Sequence, residues 1–131
     1  MSRSGYIDNA ENAAMWCGQV ASAIRGKRGQ AFLLELIEAL DALPEKRLIT
    51  GALQVGSGAV CAIGSVGLRR GVDMAPLDPH DAETLSGVFN IAHQLIREIE
   101  YINDECGRDE SPEQCWQRMR SWAVGNLKAA Q

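Results

Sequence analysis

The sequence predicts a mainly α fold: a single compact helical domain over residues 1–131, with five or six helices and a small β-hairpin between the second and the third. Three observations carry that prediction. From Phe32 the apolar residues Phe32, Leu33, Leu36, Ile37, Leu40 and Leu43 recur at a 3.6-residue period, with Glu35, Glu38 and Asp41 between them. Further amphipathic stretches follow helix-start signals on either side of this one. The stretch from Lys46 to Val66 differs, being rich in glycine and β-branched residues. A chain of 131 residues, 46% of them apolar, is enough for one core without disulfide or metal support.

Asp8 and Glu11 open the first helix as D-x-x-E, and Ala13, Cys17, Val20, Ala21 and Ile24 line one face up to Gly26. The small residues on that face let a second helix approach closely. That helix, residues 30–43, is joined through the GKRG of residues 26–29 and stopped by Pro44. It is expected to be the most buried element, with Leu36, Ile37 and Leu40 in the core. RLITGALQV and AVCAIGSVG flank a turn at Gly56, Ser57 and Gly58, which reads as the hairpin. Residues 62–70, AIGSVGLRR, read as a helix weakened by Gly64 and Gly67. Asp78 as cap, Pro79 at the first helical position and Asp81 at the third start a short helix with Ala82, Leu85, Val88 and Phe89 on its apolar side. Asn90 supplies the left-handed residue of a tight corner, and Ile91, Leu95, Ile99 and Ile102 carry the next helix. Ser111, Pro112 and Gln114 form a capping box for the last helix. Its stripe is Cys115, Met119 and Trp122 beside Trp116, Ala123 and Leu127.

The net charge of -4 argues against a whole-domain fit to nucleic acid or anionic lipid. It is also unevenly spread. Residues 73–113 carry two Lys/Arg against eleven Asp/Glu, while the segments on either side are mildly basic. The opening MSRSGYID is too polar for a secretory leader, and no apolar run approaches the ~20 residues of a membrane span. Cys17, Cys61, Cys106 and Cys115, spaced by 44, 45 and 9, make no compact disulfide framework. Cys17 and Cys115 lie on apolar stripes and read as buried free thiols, so the cytoplasm is the expected compartment.

Each candidate chemistry has a plainer structural reading beside it. Residues 82–99 fit helix-turn-helix spacing, with Leu85, Ser86, Phe89, Ile91, Ile96 and Ile99 about Asn90. The second helix, however, offers His93, Gln94, Arg97, Glu98, Glu100, Asp104 and Glu105, a set that phosphate would repel. Lys27 and Arg28 stand at a helix start, where free N–H groups and the dipole favour an anion; a solvated basic loop is the simpler account. The glycines form neither G-x-G-x-x-G nor a P-loop. His80 and His93 are the only imidazoles, no cysteines are spaced C-x-x-C, and neither histidine stands in a nucleophile's frame. No metal, no cofactor and no enzymatic activity are therefore expected.

In GKRGQAFLLELIEALDALPEKRLI, VCAIGSVG, FNIAHQLIREIEYINDE and SPEQCWQRMRSW the chain resembles a group of small proteins encoded by tailed phages and prophages of proteobacteria. The resemblance spans most of the chain. It departs at Gln54, Val55, Gly56 and Ser57, which replace a more acidic stretch, and at Asn90, where relatives tend to have Gly. No activity comes with the group, so no residue role is carried over. What the resemblance implies is context, a protein made inside a bacterial host cell. The expected function is that of a phage accessory protein acting by protein-protein interaction, with a host or phage protein as partner and Glu98, Asp104 and Glu105 on the contacting face. Inhibition of a host defence or nucleic-acid-handling protein fits, because an acidic face can occupy a basic groove. The alternative is a nucleic-acid-binding regulator using the corner at 82–99 or Lys27 and Arg28. Self-association is left open, and no membrane partner is expected.

Overall fold

In the computed structural model, which describes residues 10–104 and 110–128, the first five of them through their backbone alone, six α-helices enclose a single core. They are α1 (Ala10–Arg25), α2 (Lys27–Ala42), α3 (Ala62–Arg70), α4 (Ala82–Phe89), α5 (His93–Asp104) and α6 (Pro112–Gly125). Helix α2 packs against α1, α3 and α6, and α5 packs against α1, α3, α4 and α6. All six contribute buried apolar side chains.

Gly26 alone separates α1 from α2, so Lys27, Arg28 and Gly29 form the first turn of α2 and not the predicted connecting loop. So tight a reversal brings two backbones together at Gly29, where a Cβ would stand 1.9 Å from the Ala23 carbonyl oxygen. Phe32, Leu33, Leu36 and Leu40 are buried as expected, whereas Ile37 is only partly buried against the core. Nor is α2 the most buried element. Val60 to Gly67 form an unbroken buried run, and no residue from 91 to 103 is exposed. The C-terminal carbonyls of α2 are met by side chains: the Lys46 ammonium donates to Asp41 O at 2.5 Å and Leu43 O at 2.6 Å, and the Trp116 indole donates to Leu40 O at 3.0 Å.

The predicted two-stranded hairpin is not formed. Among the described residues there is no strand, only a single antiparallel bridge between Gln54 and Val60 around the expected turn. Val55 N donates to Ala59 O at 3.0 Å and Cys61 N to Leu53 O at 3.2 Å. Pairing stops there because the second limb passes directly into α3, whose cap is Cys61, while Val60 O is taken from the other side by Ile49 N at 3.0 Å. The glycines read as weakening α3 are what seat it. A Cβ at Gly64 would lie 2.0 Å from Leu53 O, and one at Gly67 would lie 2.6 Å from Met74 Sδ.

Helix α4 starts at Ala82, three residues later than predicted. Asp81, not Asp78, accepts from Thr84 N at 3.2 Å, while Asp78 accepts from His80 N at 2.8 Å in the turn before it. Asn90 adopts the left-handed conformation, φ 59°, at the α4–α5 corner. The capping box of α6 is formed by Ser111 and Gln114, and Cys115, Met119 and Ala123 are its fully buried stripe. On α1 the prediction fails at Cys17, which is exposed. Val20 and Ile24 of the predicted face are buried, and Trp16 packs against the core with them, which turns Cys17 out. Arg70 joins three helices: its guanidinium donates to both Glu35 oxygens at 2.7 and 2.6 Å and to Phe89 O at 3.3 Å, and lies 5.9 and 5.6 Å from the Phe32 and Phe89 ring centres.

These close approaches separate glycines of opposite effect. Gly29→Ala and Gly64→Ala are each expected to destabilise by about 2 kcal/mol or more, since a methyl would meet backbone oxygen. Gly18→Ala in α1, with nothing within 4 Å of the added carbon, is expected to stabilise by about 0.5–1 kcal/mol. Urea titration of the three variants checks the signs, and a neutral Gly29→Ala would contradict the helix crossing.

Candidate functional site

The C-terminal half of α5 is fixed from inside by Asn103, 2% exposed. Its Oδ1 accepts from Ala62 N at 2.9 Å at the start of α3, and its Nδ2 donates to Ile49 O at 2.9 Å and Asp104 Oδ1 at 3.2 Å. Its backbone carbonyl accepts from Cys115 Sγ at 3.3 Å on α6. One amide thereby holds α5, α3 and the 49–53 segment around a pocket. Leu53, Cys61, Ile63 and Leu85 form its floor, all buried, and Gly51, Ala52, Pro79, Glu100 and Asp104 stand about its mouth. Its enclosed volume, about 20 Å³, suits one or two heavy atoms and not a cofactor.

The chemistry of the mouth is anionic. The Glu100 side chain is 14% exposed and its Oε1 lies 3.2 Å from His80 Nδ1, whose own side chain is 67% exposed. Burial pushes the Glu100 carboxyl above its usual range, and the contact with His80 offsets this in part. Asp104, one turn further on, is exposed and accepts weakly from Gly51 N at 3.4 Å. On the floor, burial pushes the Cys61 thiol up to about 12. Its sulfur accepts from Gly64 N at 3.3 Å, so it caps α3 and offers almost no thiolate as a nucleophile.

Of the three acids expected on a contacting face, Asp104 is exposed and Glu105 lies outside the described residues. Glu98 corrects the expectation: it is 8% exposed and points toward α1, in a groove with Val20, Ile24 and Arg25. An acid that deep belongs to the packing of α5 and not to a docking surface. Lys27 and Arg28 are exposed on a separate groove, where Arg28 Nη1 donates to Asn90 Oδ1 at 3.1 Å beside Phe32, Phe89 and Arg70. The α4–α5 corner exists, but its second helix presents no open reading face: α1, α3, α4 and α6 surround it. The sequence reading missed Glu100, His80 and Asn103 as a set. Two signals pointed to them, a polar residue on the Leu95–Ile99 stripe and an acidic pair four apart in a last helical turn without a base.

Among the described residues no three His, Cys, Asp or Glu side chains gather to hold a metal, and no helix is long and apolar enough to cross a membrane. Comparison with protein-family models, curated proteins and solved structures finds no match to this chain.

The raised Glu100 pKa has a definite sign. Between the ordinary 4.5 and the folded value, the folded protein binds more protons than the unfolded chain, so stability falls as pH rises through that window. Glu35, lowered by its hydrogen bonds to Arg70, works below it: its contribution is present above 4.5 and is lost as pH falls through its folded pKa. Glu100→Gln is expected to raise the melting temperature at pH 7 and to abolish the rise seen on acidification toward 4.5, leaving the acid loss below it in place. Equal melting curves for both proteins from pH 7 to pH 5 would contradict the buried carboxyl.

Proposed function

We propose that this protein is a phage or prophage accessory factor that acts by binding another protein. The surface around Glu100 and Asp104 engages a basic patch on a host or phage partner, and a nucleic-acid-handling or defence protein suits such a contact, its basic groove being blocked by the acidic face. One observation carries this reading. Glu100 and Asp104 lie in the last turn and a half of α5, where the negative end of the helix dipole opposes them and no basic residue of that turn compensates. Asp81 caps α4 and Glu83 stands in its first turn, whereas Glu100 and Asp104 hold no such position and line an apolar pocket. Binding through shape and charge is the role such a site fits.

A second reading is favoured by the N-terminus of α2, which has no side-chain cap, no acidic residue in its first turn, and Lys27 and Arg28 in it. Those features suit an anion and support the nucleic-acid alternative. The α4–α5 corner supports it less, because only Asp104 among the residues of α5 is exposed and the helix offers no basic reading face.

The two readings rank charge reversals oppositely. With Asp104→Lys, capture of the partner from bacterial lysate is expected to weaken by about tenfold, mainly in association rate, and the difference is expected to shrink at high salt. Lys27→Glu with Arg28→Glu is expected to leave capture intact. Duplex DNA or RNA binding at physiological salt that vanishes in the Lys27 and Arg28 variant would overturn the proposal.

A further inference from the structure

We propose that the groove beside the 54–60 turn binds an extended peptide segment of another protein, which places a backbone carbonyl on Val60 N–H and an apolar side chain on Leu43, Pro44 and Leu68. The groove shares no residue with the pocket beside Asn103, so it stands or falls apart from the acidic face.

The backbone pattern supplies the first reason. Val55 N donates to Ala59 O and Cys61 N to Leu53 O, so Gln54 and Val60 face each other without bonding, and their own N–H and C=O groups turn outward. On Val60 both point toward the 44–49 limb. Its carbonyl meets Ile49 N there at 3.0 Å, whereas its N–H meets no acceptor among the described residues, although Val60 is 2% exposed. A buried N–H without a protein acceptor is rare in a folded chain. This one opens on a groove of about 520 Å³ that Val60 lines together with Leu43, Pro44, Arg47 and Leu68.

The groove is held open by its own rim. The Lys46 ammonium is tied to Asp41 O and Leu43 O, and Leu48 N to Pro112 O, which fixes the 44–48 limb where it leaves Val60 unpaired. Further along the same two limbs, the chain shows which group fills such a gap: the Asn103 carboxamide lies between Ile49 O and Ala62 N and bonds both. A peptide group carries the same acceptor and donor along an extended chain, the basis of strand addition. The wall selects the side chain. Leu68 is 46% exposed beside Leu43 and Pro44, and the charges of Glu45 and Arg47, 3.8 Å apart, offset each other, which favours an uncharged apolar residue over an ionic one.

The probe is the uncharged, alternating peptide Ac-Thr-Val-Thr-Leu-Thr-NH₂, with Ac-Thr-Ser-Thr-Ser-Thr-NH₂ as its polar control, titrated into the ¹⁵N-labelled protein. The Val60 amide proton is expected to move downfield and saturate with the first peptide, the amides of Gly58, Ala59 and Leu68 responding with it. The control is expected to bind at least about fivefold more weakly. Leu68→Glu, a change at an exposed position, is expected to weaken the first peptide at least about fivefold and to leave the melting temperature unchanged. No saturable shift, shifts that leave Val60 in place, equal response to both peptides, or full affinity in the Leu68 variant overturns the proposal. Movement of the same amides on raising the protein concentration alone makes a second copy of this chain the occupant and overturns it as well.

Discussion

The side-chain amide of Asn103 is the constraint on which the far end of the molecule depends. It satisfies the first N–H of α3 and the carbonyl of Ile49 from within the core, while the backbone carbonyl of the same residue receives the Cys115 thiol. A buried amide with these bonds made is favourable; with one partner removed it leaves groups stranded at a cost of about 1–3 kcal/mol each. Because each bond leads to a different element, the same residue determines where α3 begins, where the 49–53 segment runs and how α5 meets α6. The pocket beside it is a consequence of that placement.

Charge is divided by location. The strong ion pairs lie elsewhere: Glu35 with Arg70, Asp41 with Arg120 at 2.7 Å, and Glu110 with Arg118 at 3.1 Å. These tie α2 to α3, α2 to α6, and the approach to α6 onto that helix. Among the described residues Asp73, Asp78, Asp81, Glu83 and Asp104 have no basic side chain within ion-pair distance, and Glu100 has only His80. Arg70, Arg118 and Arg120 hold elements together, while Asp73, Asp78, Asp81, Glu83 and Asp104 face solvent.

Much of the fold was legible because local signals and burial agreed. Ser111 and Gln114 cap α6, Asn90 turns the corner, and Leu33, Leu36 and Leu40 lie at the centre. Legibility failed where two signals of similar strength competed. On α1 the expected stripe held at Val20 and Ile24 but not at Cys17, because packing favours the larger Trp16 beside them and leaves the thiol outside. In the 46–66 stretch, glycine and β-branched residues suggested a hairpin, but the glycines are there for close backbone contact at Gly64 and the chain is claimed by α3. Glu98 was read as an outer charge from its residue type, although it stands three residues after Leu95 and four before Ile102 on the apolar stripe, where the α1 groove covers it.

Tertiary context also refines what the acidic excess of residues 73–113 means. Part of it has folding work: Asp81 caps α4, Glu83 stands in the first turn of α4 and Glu113 in that of α6, where the dipole welcomes them, and Glu110 pairs with Arg118. Glu98 is buried in the α1 groove. A count of charges therefore overstates the surface available to a partner. What remains is Glu100 and Asp104, placed where the dipole of α5 disfavours them, one of them desolvated beside an apolar pocket. A helix end that needed only stability would carry lysine or arginine there, at a gain of about 0.3–1 kcal/mol per residue. The chain carries two acids there instead, and the proposed contact with a basic partner draws on that charge.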